Sequence, residues 1–586
     1  MTTRFAHAMP YGVRPLGRGR ARFRLWAPDV DTVFVETDAG AASAMHALTD
    51  GWFEGVLDAP VGTGYRFRVK DGLTVPDPAS RLQKDGDVHG YSVITEPTEY
   101  AWRHGDWKGR PWREAVIYEV HAGLMGGFDG VRAALPRLAE LGFTAIELMP
   151  IAEFPGERNW GYDGVLPFAP ATAYGSPDDL KRLVDDAHGF GLMVFLDVVY
   201  NHFGPEGNYL GAYASPFFQD KPHTPWGPAI AVSVPQVGDY FVHNALYWVQ
   251  EFRIDGLRLD AVHAIGNPGW LASLASRVRA VTGPGRHIHL VLENESNQAH
   301  LLGRERFDAQ WNDDFHNALH VLITGESEGY YAHYQDPLPK LERVLTEGFA
   351  WQGEIMGGKH RGEYSADKMP ARFVSFLQNH DQIGNRALGD RLTTLVDEAV
   401  LVAATALLLL APFVPLMFMG EEWGSRTPFL FFADFGDPAL RDAVREGRRK
   451  EFAAFASFSG AGMPDPAAPS TFDASRPDMV EASDPVCQRR LALVRELLAL
   501  RARHIAPWID DARSTGARTL GDHAFRASWK LGTKVLTIFA NLGDVDVTLK
   551  APPSASAAWI HGDAASIAAV SRGLLPSRHT LACVES

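Results

Sequence analysis

Apolar and polar positions follow two rhythms along the chain: a period of two near both ends, and alternating strand and helix patterns between them. Over residues 1–95 the runs ARFRLWAP, TVFVET, GWFEGVL and YRFRVKDG alternate between Gly, Pro and Asp punctuation, which predicts a small N-terminal β-sandwich. A linker over 96–112 is marked by Trp102, Trp107 and Trp112. From 113 to 508 eight strand-like runs follow: AVIYEVHAG, TAIELMPIA, LMVFLDVVYNH, GLRLDAVHA, HIHLVLENE, AQWNDDF, RFVSFLQNHD and VPLMFMGEE. Helix-period segments such as RAALPRLAELG, PDDLKRLVDDAHGFG, HNALYWVQEF and WLASLASRVRAV lie between most of them. This alternation belongs to βα units, and eight such strands close a barrel. Over 509–586, HAFRASWKLG, KVLTIFANLG and DVTLKAP return to short strands and predict a C-terminal β-sandwich. The expected fold class is α/β, a (β/α)₈ TIM barrel flanked by two β-sandwiches. The stretch 458–486, rich in Ser, Pro, Ala and Asp, reads as an excursion before the last barrel helix, QRRLALVRELLALRAR.

Composition removes several classes of function. The uncharged stretch Ala399–Gly420 is long enough for a membrane span, but Pro412 and Pro415 split it into a buried helix and a buried strand. With 56 basic and 71 acidic residues the net charge is −15, which argues against nucleic acid and anionic membranes as partners. Cys487 and Cys583 are the only cysteines, so neither a disulfide framework nor a Cys-ligated metal is expected. Six arginines precede Asp29, the first acidic residue, but no apolar signal core accompanies them, and a cytoplasmic protein is expected.

Most strand-like runs end in polar, often ionisable residues, and in a (β/α)₈ barrel those C-terminal ends form the active-site face. Asp197, Asn201 and His202 follow the third run; Arg258, Asp260 and His263 lie on the fourth, Glu293 on the fifth, His380 and Asp381 on the seventh. Arg258 and Asp260 stand two apart on a strand and so share a face. Carboxylates beside an arginine suit hydrolysis of a glycosidic bond, which needs one proton donor and one carboxylate facing an oxocarbenium-like carbon. Asp197 reads as a structural carboxylate at a strand end; His263 is open between packing and ligand contact.

The strings DVVYNH (197–202), GLRLDAVH (256–263), LVLENE (291–296) and FLQNHD (376–381) resemble the four signature regions of the α-amylase superfamily, glycoside hydrolase family 13. The resemblance implies Asp260 as nucleophile, Glu293 as general acid and base, and Asp381 as the group that grips the 2- and 3-hydroxyls of the distorted sugar. Arg258 would orient Asp260, His202 and His380 would bind hydroxyls at the −1 subsite, and Tyr162 would stack beneath that sugar. Retention of configuration follows. No metal or other cofactor is expected.

Longer strings, among them ELMPIAEFPGERNWGYDGV (147–165), AQWNDDFHNALHVLITGE (309–326), FVSFLQNHDQIGNRA (373–387) and FMGEEWGSRTPFLFF (418–432), resemble the maltooligosyltrehalose trehalohydrolase branch of that superfamily. Its substrate, maltooligosyltrehalose, is cut at the α-1,4 bond beside the terminal trehalose, and a maltooligosyltrehalose synthase supplies it. The loop VHAGLMGGFDGV (120–131) departs from the usual pattern of that branch, which puts rim contacts in doubt rather than the chemistry. Trehalose is bent at its α,α-1,1 linkage, so its subsites need fixed walls and polar partners. Candidates are Trp226, Asp314 and Glu421, with Trp311, Phe315, His316, Trp423, Phe429 and Phe431 beside them. The N-terminal sandwich, carbohydrate-binding-module-like, would dock glucan through Trp26 or Trp52, or simply brace the barrel. A glucan-branching or other transglycosylating enzyme is the alternative reading. A non-catalytic glycogen-binding protein is disfavoured by the intact Asp260, Glu293 and Asp381 set.

Overall fold

Eight short parallel strands close on themselves. They are β1 (Ile117–Val120), β2 (Ala145–Leu148), β3 (Met193–Val198), β4 (Gly256–Leu259), β5 (His289–Leu292), β6 (Ala309–Trp311), β7 (Phe373–Ser375) and β8 (Val414–Phe418). Ile117 of β1 pairs with Leu416 of β8, which completes the ring. Every residue of these strands is buried, because one face meets the surrounding helices and the other fills the barrel. The computed structural model describes residues 3–40, 42–224, 227–282, 285–303, 305–452, 462–554 and 556–585.

Helices α1 (Gly127–Leu141), α2 (Pro177–Gly189), α3 (Pro235–Gln250) and α4 (Pro268–Thr282) follow β1 to β4 in turn. Among the described residues a single 3₁₀ turn, Ala299–Leu301, lies between β5 and β6. α5 (Asp313–Thr324) follows β6, α6 (Glu398–Leu410) follows β7, and β8 leads through α7 (Pro438–Phe452) to α8 (Pro485–His504). Local sequence sets these ends. Ser176 caps α2 through the Asp179 amide while the Asp179 carboxylate returns to the Ser176 amide, and Pro177 supplies the first-turn φ. α6 is apolar almost all round and lies buried, and Pro412 and Pro415 follow it before and within β8, so the uncharged stretch is core. Among the described residues no helix is long and apolar enough to cross a membrane.

Ahead of the barrel lie two antiparallel sheets, one built on Gly12–Gly17, Arg20–Trp26 and Trp52–Asp58, the other on Phe34–Thr37 and Gly64–Arg68. Phe23, Leu25, Phe53, Tyr65 and Phe67 are buried in this part of the core. The sandwich grips α3. Arg81 donates from Nε and Nη2 to the two oxygens of Glu251 at 3.1 and 3.3 Å, and the Tyr11 hydroxyl donates to the Gln236 carbonyl. Trp26 packs on Phe217 and donates to the Asp50 carbonyl, while Trp52 lies against Tyr11 beneath the Arg24 guanidinium. Both tryptophans proposed to dock glucan are therefore engaged in packing. After α8 a five-stranded antiparallel sheet closes the chain, built on Arg513–Gly521, Ala524–Leu531, Lys534–Asn541, Ala558–His561 and His579–Glu585. Its Trp529 is buried and donates to the Leu345 carbonyl on the barrel. Within the excursion 458–486, residues 458–461 lie outside the described residues, and Pro469–Ala474 forms a short helix.

Candidate active site

Arg258 of β4 faces Asp197 of β3 across the strand pairing, and its guanidinium organises the barrel mouth. Nη1 donates to Asp197 Oδ2 at 2.7 Å and to Asp260 Oδ1 at 2.8 Å, while Nη2 lies 2.9 Å from Glu293 Oε2. One cation thus bridges three carboxylates. The Trp311 ring lies 4.1 Å from the guanidinium carbon, a cation–π contact that floors the site. Burial works against the Arg258 charge, yet Asp197, Glu293, Tyr162 and Asp260 outweigh it and raise its pKa well above the usual arginine value. Burial pushes the Asp197 carboxyl up to about 7 against the pull of Arg258.

Local backbone fixes the other partners. Asn201 donates from its amide to Asp260 Oδ2 at 2.7 Å and to the Asp260 carbonyl at 3.0 Å. Ala261, the residue after Asp260, adopts a left-handed φ of 39° and turns its amide onto Glu293 Oε2 at 2.8 Å. A non-glycine residue held in that region is backbone strain beside Asp260 and Glu293. Asp260 and Glu293 are therefore joined twice, through Arg258 and through one peptide.

A second layer surrounds His380. Its Nδ1 lies 2.5 Å from Glu119 Oε1 and its Nε2 2.9 Å from the Tyr162 hydroxyl, which in turn donates to Asp197 Oδ2 at 2.6 Å. Burial disfavours a charged His380, but Glu119 more than compensates and raises its pKa. Tyr162 stacks on the His380 ring with centroids 5.3 Å apart. Asp381 opens the short helix His380–Gly384, where the Asn379 side chain caps its amide. Asn385 Nδ2 donates to Asp381 Oδ1 at 2.7 Å, and burial raises the Asp381 pKa. His202 turns Nδ1 to Asn201 Oδ1 and Nε2 to the Tyr162 carbonyl, so both ring nitrogens meet protein oxygens, and its burial lowers its pKa. The structure gives it a bracing part rather than a nitrogen aimed at the cleft.

Asp197, Asp260, Glu293, Asp381, Arg258, His380 and Tyr162 are brought together; other candidates are placed elsewhere. Asp314 is buried, and its oxygens accept from the Tyr334 hydroxyl at 2.5 Å, the Ala350 amide at 2.8 Å and Asn297 at 3.0 Å. It ties the β6 end to the loop at Ala350, and the carboxyl beside the site is its neighbour Asp313, pushed up to about 8 by burial and by the charge of Glu293. Glu421 is buried with Oε2 accepting from the Phe418 amide, and its charged neighbours are Arg490, Arg391 and Glu422 rather than Asp260 or Glu293. His263 is partly exposed, accepts weakly from the Glu295 amide at 3.4 Å and lies 3.8 Å from the Glu295 carboxylate. Trp226 lies outside the described residues. Of the aromatic candidates, Trp311 and Phe429 are buried packing partners of His380 and Trp160, Phe315, His316 and Trp423 are buried, and Phe431 is half-buried against the Trp160 edge.

Besides Asp313, two carboxyls escaped the sequence reading. Glu119 on β1 and Glu147 on β2 are register partners inside the barrel. Glu119 holds His380, as above. Neither oxygen of Glu147 has a hydrogen-bond partner among the described residues, and burial, with Glu119 and Asp197 nearby, raises its pKa well above the carboxylate range. Their signal was available: an ionisable residue in the middle of the otherwise apolar runs IYEV and AIEL. Among the described residues no cluster of three or more His, Cys, Asp or Glu has the arrangement to hold a metal ion.

Comparison with known proteins places this geometry in a family. Residues 84–226 match the model of the alpha amylase catalytic domain, and 512–582 match a domain of unknown function. The chain is 42% identical over 503 residues to the malto-oligosyltrehalose trehalohydrolase of Deinococcus radiodurans, covering 84% of this chain and 82% of that protein. It is 37% identical over 566 residues to the enzyme of the same name from Rhizobium sp. strain M-11, covering 92% and 94% respectively. A crystal structure of a candidate alpha amylase from Salmonella typhimurium superposes with a TM-score of 0.92 at 42% identity, covering 99% of this chain and all of that one.

Proposed function

The chain belongs to the malto-oligosyltrehalose trehalohydrolase family, and on that premise we propose how its site cuts a glucan. The enzyme hydrolyses the α-1,4-glucosidic bond next to the terminal trehalose of maltooligosyltrehalose and releases trehalose and a maltooligosaccharide. Asp260 attacks the anomeric carbon of the −1 glucose and forms a covalent β-glucosyl ester, while Glu293 gives its proton to the departing glycosidic oxygen. Glu293 then takes a proton from water, the water attacks the same carbon, and Asp260 leaves. Two inversions give net retention. Asp381 holds the 2- and 3-hydroxyls of the distorted ring, and the Tyr162 ring packs beneath it.

The observation that carries this reading is the shared guanidinium. Two carboxyls held on the two arms of Arg258, at 2.8 and 2.9 Å, favour the spacing of about 5–5.5 Å used by retaining glycosidases over the ~6.5–9.5 Å of inverting ones. Asp313 supports the acceptor side: it stands next to Glu293, where trehalose would leave, and its raised pKa of about 8 equips it to donate as well as accept a hydrogen bond to a sugar hydroxyl. A maltooligosyltrehalose synthase in the same cytoplasm would supply the substrate.

The test is product analysis by chromatography, with maltotetraosyltrehalose and maltohexaose as separate substrates. Prompt trehalose from the first and little cutting of the second is the expected result. Longer or branched glucans from maltohexaose, without trehalose release, would move the same barrel to transglycosylation.

A further inference from the structure

The loop after β7 carries more than Asp381. Asn385, four residues on, donates from Nδ2 to Asp381 Oδ1 at 2.7 Å and from its backbone amide to the Asp381 carbonyl at 3.0 Å. Its other amide atom, Oδ1, accepts from Arg448 Nη1 at 2.9 Å, and Arg448 Nη2 donates to the Gly384 carbonyl at 2.7 Å. Arg448 comes from α7, a charged helix outside the barrel, and its guanidinium lies over the Phe431 and Phe452 rings at 4.8 and 4.7 Å. We propose that Arg448 and Asn385 form a positioning relay that fixes the Asp381 carboxylate for the distorted −1 sugar.

Hydrogen-bond polarity sets the direction of this chain. A guanidinium only donates, so the atom of Asn385 facing it must be the carbonyl oxygen. That choice leaves the NH₂ facing Asp381, and an ionised carboxylate only accepts. Without Arg448 nothing in this chain of bonds prevents the amide from turning over, and Oδ1 would then face Asp381 oxygen to oxygen. Trp160 packs so closely on Gly384 that no Cβ fits there, and the Gly384 carbonyl accepts the second Arg448 bond. α7 thereby reaches the Asp381 carboxylate through two side chains, Arg448 and Asn385.

This inference rests on the reading of Asp381 given above, so the experiment carries a control for that reading. Asp381→Asn, Asn385→Ala, Arg448→Met, Arg448→Lys and the Asn385→Ala/Arg448→Met double variant are assayed with maltotetraosyltrehalose, and folding of each is checked by thermal unfolding. Asp381→Asn is expected to abolish turnover; retained turnover would remove the reading of Asp381 and the relay with it. Arg448→Met and Asn385→Ala are each expected to lower kcat about tenfold with KM changed less than twofold, because the sugar grip tightens only in the transition state. The double variant should be no slower than the worse single one, and Arg448→Lys should recover part of the rate, since an ammonium also only donates. Multiplicative losses in the double variant, or unchanged kcat in both single variants while Asp381→Asn is dead, would overturn the relay alone. Should Arg448→Met fail to fold, the comparison of Asn385→Ala with Asn385→Asp decides: a carboxylate facing Asp381 must be slower than no side chain at all, and equal rates overturn the relay.

Discussion

Replacing Arg258 with methionine removes one charge and keeps most of the volume, and the consequences follow from its three partners at 2.7, 2.8 and 2.9 Å. With an effective dielectric constant near 20, a pair about 4 Å apart is worth roughly 4 kcal/mol before desolvation. Desolvating the guanidinium offsets much of that sum in the wild type, but the variant leaves buried carboxylates with no cation. Breaking a buried pair in this way costs about 3–5 kcal/mol. Asp197 returns part of it by taking a proton. Its folded pKa is about 7 with Arg258 in place and higher still without it, above the unfolded value in both cases, so its contribution is full in acid and in the variant is lost only as pH rises beyond about 7. Urea unfolding of Arg258→Met should therefore show a loss of about 3–5 kcal/mol at pH 8 and a smaller one at pH 5. Trehalose release should fall about 10²–10³-fold in kcat/KM, the usual effect of deleting one preorganised charge beside a transition state. A variant within threefold of wild-type kcat/KM and destabilised by less than about 1 kcal/mol would show that Arg258 does not hold the three carboxyls together.

Four further outcomes follow from the same geometry. Asp314→Asn should lose at least about 1.5–3 kcal/mol of stability, because its carboxylate receives charge-assisted bonds from Tyr334, Ala350 and Asn297. Asp313→Asn should instead keep its stability as pH rises from about 5 to 9 while the wild type declines, since a group titrating near 8 in the fold loses its contribution across that range; parallel melting curves would contradict the raised pKa. Gly384→Ala forces a Cβ onto Trp160, so a loss of about 1–3 kcal/mol by thermal unfolding, with reduced turnover through the Trp160–His380 contact, is expected, and an unchanged melting temperature would refute it. Arg81→Met leaves Glu251 buried without its cation and should cost about 3–5 kcal/mol in denaturant while kcat, read well below the melting temperature, stays at the wild-type value; a lowered kcat in folded protein would mean the sandwich shapes the site as well as bracing it.

The barrel was legible because a strand buried on both faces leaves an apolar run whose length and turn boundaries stand out. All eight runs hold a barrel strand, and the uncharged stretch that could have passed for a membrane span is divided by its prolines into α6 and β8. Asp260, Glu293 and Asp381 stood out through the resemblance of their strings to the α-amylase signature regions, and Arg258 with Asp260, and His380 with Asp381, are neighbours in sequence and in space. What local sequence does not encode is which way a residue turns after its strand stops. Asp313 and Asp314 are adjacent at the start of α5, and only the phase of that helix sends the first toward Glu293 and the second into the core. Glu421 is at a strand end as expected, yet the 3₁₀ turn beyond β8 carries it among Arg391 and Arg490. The Glu119–His380 pair and the Arg448–Asn385 bond join segments 261 and 63 residues apart, which no run or motif contains.

Proton NMR of maltotetraosyltrehalose during the first minutes of hydrolysis reads both the bond that is cut and the configuration of the product. Free α,α-trehalose must appear together with a new reducing end whose α anomer precedes the β, because a double displacement through Asp260 returns the starting configuration. A β anomer appearing first would contradict the nucleophile at Asp260, and glucose or maltose in place of trehalose would contradict the site of cleavage.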